Sequence, residues 1–79
     1  MLARTPEQIA QRIVSLLDQR NTKPGEHDMF GAIASRLANE EISGDALNSG
    51  VAFGVERGWF SMRGPRIWRA AATAAEPAG

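Results

Sequence analysis

Arg57, Arg63, Arg66 and Arg69 stand close together near the end of this 79-residue chain, with no carboxylate between them. A guanidinium presents a planar fork of donors that suits phosphate oxygens two at a time. An acid-free series of them is therefore chemistry for an anionic partner, above all a nucleic-acid backbone. Arg57 also has a local use, because a cation at a helix end complements the dipole. The other candidates for chemistry are poorer. Glu40 and Glu41 are adjacent and so do not face one another as a carboxylate pair. His27 adjoins Asp28, but no credible nucleophile accompanies them. There is neither a phosphate loop nor a dinucleotide fingerprint. Cysteine is absent and histidine occurs once, which removes thiol nucleophiles, disulfide frameworks and Cys- or His-built metal sites. No enzyme, cofactor or metal is expected.

The elements that must position these arginines can be read back from the same stretch. Gly58 stops a helical pattern, and Trp59-Phe60-Ser61-Met62-Arg63 and Arg66-Ile67-Trp68-Arg69 are short runs separated by Gly64-Pro65. Such a pattern predicts a β-hairpin with Arg63 and Arg66 bracketing its tip, Arg69 on the second strand and Arg57 closing the helix before it. Its register has two solutions. If Met62 pairs with Ile67, then Phe60, Met62 and Ile67 share the core face, and Trp59 and Trp68 turn outward beside arginines. If the loop takes three residues, Trp68 joins the core and Ile67 turns out. For Trp59 at a strand start, a buried or half-buried position is the ordinary expectation.

Upstream, Thr5-Pro6-Glu7-Gln8 combines a hydroxyl cap, proline at the first helical position and glutamine three residues after the cap. This is a capping-box start. With Ile9, Ile13, Leu16 and Leu17 at helical spacing it predicts a first helix from Pro6 to about Gln19. Asn21 to His27 is turn chemistry around Pro24-Gly25, with room for one short strand. Asp28 is a candidate cap for a second helix whose stripe is Phe30, Ile33, Ala34 and Leu37, ending near Asn39. Ser43 is a candidate cap for a third, with Asp45 in its first turn and Leu47, Val51 and Val55 as the inward stripe. Gly50, Gly54 and Gly58 recur every four residues along that helix. Beside the apolar stripe they would let another backbone approach closely, and the contact must offset on the order of 2 kcal/mol in helix propensity. The tail from Thr73 to Gly79 has no large anchoring side chain and is expected to fray.

Three helices, a short turn between the second and third, and a terminal hairpin resemble the winged helix-turn-helix family. The residues that carry the resemblance are Ile33-Ala34-Ser35-Arg36-Leu37, the turn at Ile42-Ser43, and Leu47, Val51 and Val55 running into Glu56-Arg57-Gly58-Trp59-Phe60. It spans about Pro6 to Ala70 and implies a mainly α fold with a two-stranded wing, in one domain over residues 1–72. It also implies binding of double-stranded DNA, as transcription regulators do, with the third helix in the major groove and the wing near the backbone.

This chain departs from that pattern in its third helix. Opposite the Leu47 stripe lie Asp45, Ser49, Ala52 and Glu56, with Asn48 and Phe53 toward the flanks and no Lys, Arg or Gln. Ser49 and Asn48 are the candidate contacts there, while acids would resist approach to phosphates. Whole-chain charge is zero, but its distribution is uneven. Through Glu56 five cations face eight carboxylates, a balance of −3, and from Arg57 to Ala75 there are four arginines and no acid. Such asymmetry suggests a partner-facing end.

Two readings follow. The first is a small DNA-binding protein using Arg57, Arg63, Arg66 and Arg69, with Ser49 and Asn48 as helix contacts. The second is a protein-interaction domain, a homodimer or part of a larger complex, that uses Phe53, Trp59 and Trp68. No run approaches the roughly 20 apolar residues needed to span a bilayer and no signal-peptide pattern opens the chain, so a cytoplasmic protein without membrane contact is expected.

Overall fold

In the computed structural model, which describes residues 4–71, the elements follow the order α1 (Pro6–Gln19), β1 (His27–Met29), α2 (Phe30–Asn39), α3 (Gly44–Glu56), β2 (Phe60–Arg63) and β3 (Arg66–Arg69). The strands form one antiparallel sheet in the order β1-β3-β2. Three helices with this hairpin make a mainly helical, winged-helix-like arrangement. The stretch expected to fray, Thr73–Gly79, lies outside the described residues.

α1 starts where its cap dictates. Thr5 Oγ1 accepts the Gln8 backbone N–H at 3.1 Å, and Gln8 Oε1 accepts that of Thr5 at 2.9 Å, so the two side chains satisfy two otherwise orphaned donors. Its inner stripe of Ile9, Ala10, Ile13, Leu16 and Leu17 is fully buried. All three helices end in the same way, with the residue after the C-cap in the left-handed region: Asn21 at φ 64°, Glu41 at φ 64° and Gly58 at φ 77°. In each, the following N–H reaches back to a carbonyl of the last turn: Thr22 to Leu17, Ile42 to Leu37 and Trp59 to Gly54. This is the Schellman closure.

α2 begins differently from its expected start. Asp28 does not cap it; the residue lies in β1, and the cap position belongs to Met29, which makes no side-chain cap hydrogen bond. The Phe30 N–H instead donates to the Pro65 carbonyl in the hairpin loop at 2.9 Å. The β1–β3 pairing thus supplies the acceptor that a local side chain was expected to provide. Ser43 does occupy the cap position of α3, again without a side-chain cap hydrogen bond.

The inward face of α3 also needs correction. Its buried residues are Gly50 and Gly54, Leu47 and Val51 are half-buried, and Val55 is 41% exposed. The helix axis lies too close to its neighbours for side chains at the centre of contact. A Cβ on Gly50 would fall 2.2 Å from Ile9 Cγ2, and one on Gly54 would fall 2.1 Å from Phe60 Cζ. The glycines are the contact line, and larger apolar residues flank it. Phe60, 2% exposed, sits between α3 and the sheet. Burying a side chain of this size contributes about 2–3 kcal/mol. Ile33 and Leu37 of α2, Ile42 and Ile67 of β3 complete the core.

Candidate nucleic-acid interface

Gly58 turns the chain out of α3 and Trp59 leads into β2. β2 and β3 pair as Phe60 with Arg69, Ser61 with Trp68, Met62 with Ile67 and Arg63 with Arg66. The loop is therefore the two residues Gly64-Pro65, with Gly64 at φ 57°. A positive φ at the first central position suits the right-handed twist of a two-residue hairpin, and glycine adopts it without steric cost.

This register selects the pairing of the first expected solution, except that Trp59, expected there to turn outward with Trp68, is half-buried and packs against the core. Phe60, Met62 and Ile67 face the core, and Trp68 stands on the outer face of the sheet. Trp68 is nevertheless half-buried, because His27 of β1 pairs with it and packs on it at 4.6 Å between ring centroids. The Arg63 guanidinium lies 5.9 Å from the indole centroid. The indole N–H is buried with no acceptor among the described residues, a cost of roughly 1–3 kcal/mol that the packing must offset.

The four candidate arginines do not converge. Arg63 and Arg66 are exposed and directly opposed on the last rung of the hairpin. Arg57 is exposed beside them in sequence but lies over the Phe53 ring, 4.6 Å from its centroid. Arg69 points to the opposite face, where its guanidinium pairs with Asp18 of α1 and donates to the Thr22 carbonyl at 3.0 Å, leaving its side chain 20% exposed. Among the described residues the ion pairs are those of Arg4 and Arg12 with Glu40, Arg20 with Asp28, and Arg69 with Asp18. Arg63 and Arg66 have none.

Beneath the sheet a polar cluster anchors β1 to the end of α1. Arg20 donates to both Asp28 oxygens, the second at 3.1 Å, and the buried Thr22 hydroxyl donates at 3.0 Å. The Arg20 hydrogen bond, assisted by the Met29 N–H and Thr22, lowers the Asp28 pKa to about 2 against an opposing desolvation effect. Glu40 is lowered likewise by its hydrogen bonds from Arg12. These groups are structural ties.

Asn48 and Ser49 are exposed on α3. With Gly50 and Gly54 as the inward line, Asn48 and Ala52 move to the middle of the outward face, flanked by Asp45, Glu56 and Val55. Phe53 and Trp59 meet edge-on at 5.7 Å and pack on the core, whereas Trp68 packs with His27. The three aromatic candidates thus form two groups. The residues that sequence reasoning missed are His27 and Met29, which β1 adds to the outer sheet face. Their only signal is a three-residue alternation around Asp28, too short to distinguish from a turn.

Among the described residues no helix is long and apolar enough to cross a membrane, and no group of three His, Asp or Glu side chains could hold a metal ion. No family model, curated protein or solved structure matches the chain.

Proposed function

We propose that this is a small winged-helix DNA-binding protein of the transcription-regulator kind, working in the cytoplasm, that contacts the duplex backbone through wing residues Arg63 and Arg66. One observation carries the reading. The two arginines are direct cross-strand partners at the exposed tip, and neither has an ion pair among the described residues. Like charges directly opposed across a hairpin destabilise it, and an anion between them removes that repulsion. Phosphates of a duplex meet this need at a defined spacing, and release of their counterions drives association. Arg57 is a secondary contact at the base of the wing, and Arg69 supports the strand from behind.

Fluorescence anisotropy with a labelled DNA duplex at low salt tests the reading. Binding should weaken steeply as salt rises and should fall in Arg63→Ala and Arg66→Ala with thermal stability equal to or above the parent's, because either change relieves the cross-strand repulsion. Arg69→Met should lower stability instead. No binding at about 20 mM salt would dismiss a DNA role, because a phosphate contact is strongest there. A mass that rises with concentration under those conditions would move the function to protein association.

A further inference from the structure

The hairpin tip is part of a larger surface. Directly paired residues share a face of a sheet and successive residues alternate. The pairings place Met29, Arg66 and Arg63 in one outward row across β1, β3 and β2, and His27, Trp68 and Ser61 in the next. Asp28 is the only carboxylate in the three strands, and it faces the other way, held by Arg20 and Thr22. The outward face therefore carries two guanidiniums, an exposed imidazole and no acid. The outward face of α3 has the opposite character, with Asp45 and Glu56 exposed around Asn48 and Ala52.

We propose that the outward face of the whole three-stranded sheet, centred on Arg63 and Arg66 and extended by His27 of β1, grips the DNA backbone without reading base sequence, while α3 stays out of the major groove. This rests on the duplex reading above and names the part of the duplex that is bound. Charge complementarity selects the occupant. A helix inserted in the major groove is walled by phosphates on both sides, and Asp45 and Glu56 would meet them, whereas the sheet face carries two guanidiniums and no carboxylate. Guanidinium contacts to phosphate fix position and carry no sequence information. His27 adds an N–H donor in either protonation state. Its place on β1 is set by the ladder to β3 and by packing on Trp68.

The test uses two labelled duplexes of equal length, one composed of A·T pairs and one rich in G·C pairs, titrated across a range of salt. The two affinities should agree within about threefold, and two neutralised phosphates, or three where Arg57 also makes contact, should give a log–log salt slope of about −2 to −3. Arg63→Ala and Arg66→Ala should each reduce that slope by about 1 on both duplexes. His27→Ala should weaken both by roughly two- to tenfold, the worth of one hydrogen bond, and Asn48→Ala and Ser49→Ala should change neither. In a Trp59→Phe protein, where Trp68 is the sole tryptophan, added duplex should alter the indole emission as Arg63 moves from the ring to a phosphate. The proposal is overturned, with duplex binding intact, if Asn48→Ala or Ser49→Ala weakens one duplex selectively. It is equally overturned if His27→Ala leaves both affinities unchanged or Trp68 emission ignores the duplex. Failure to bind either duplex removes the wider reading as well.

Discussion

Arg66 and Arg69 end the same four-residue strand, and pleating sends them to opposite faces. Arg66 emerges into solvent beside another arginine; Arg69 meets Asp18 and the Thr22 carbonyl. Identical side chains thus become a candidate contact and a structural tie. Asp28 shows the same dependence on surroundings. Its carboxyl, near 3.8 in the unfolded chain, falls to about 2 in the fold, chiefly through the Arg20 hydrogen bond. A depressed carboxyl pKa contributes stability that is present above the unfolded value and lost as pH falls through the folded one, here between about pH 4 and pH 2. The contribution is on the order of 2 kcal/mol. Urea unfolding of Asp28→Asn should show lower stability than the parent at pH 7 and a much smaller difference near pH 2. The loss of stability in acid should be shallower in the variant, with Glu40 still contributing in the same direction; parallel acid profiles would contradict the assignment.

At the scale of elements, the glycines of α3 divide by what surrounds them. Gly50 and Gly54 leave no space for a methyl group against Ile9 and Phe60, whereas Gly31 in α2 has nothing within 4 Å of an added Cβ. Gly50→Ala and Gly54→Ala should each cost about 1–3 kcal/mol by overpacking. Gly31→Ala should gain up to about 1 kcal/mol, because alanine is the better helix former and open space imposes no penalty. Thermal unfolding followed by circular dichroism would separate the three, and equal shifts would mean that helix propensity alone governs α3. The recurrence of glycine every four residues was legible in the sequence as a close-approach surface. Its placement at the centre of the contact was not, because the wheel of α3 also allows the centre to lie on Leu47, Val51 and Val55. The distance to α1 and to Phe60 decides between them.

The whole molecule is joined through few side chains, as a domain of this size must be. Phe60 is the principal link, since it belongs to the wing, lies against Gly54 of α3 and is part of the same core as α1. Phe60→Ala should remove about 3–5 kcal/mol, which is comparable to the total stability of a small domain. Helical circular dichroism and the near-ultraviolet signal of the tryptophans should then be lost together; a surviving helical signal without a wing would mean that the helices fold as an independent unit. The charge separation belongs to this scale too. A cationic sheet face and an acidic α3 face coexist in a chain of zero net charge, which favours an oriented approach to a polyanion over a uniform coat.

The sequence by itself determined the features whose causes lie within a few residues of one another. These are the capping box and extent of α1, the ends of α2 and α3, and a hairpin after Gly58, because caps, turn glycines and apolar spacing act locally. Tertiary structure alone decided the rest. The placement of Trp68 on the outer face of the sheet depends on a one-residue choice of register, made when Ile67 enters the core. The recruitment of His27 and Met29 to the outer face depends on β1 pairing with a strand formed about forty residues later. The withdrawal of Arg69 depends on Asp18, distant in sequence and adjacent only once α1 and the sheet have packed. Each is a non-local contact, whose partner no local pattern of residues can name.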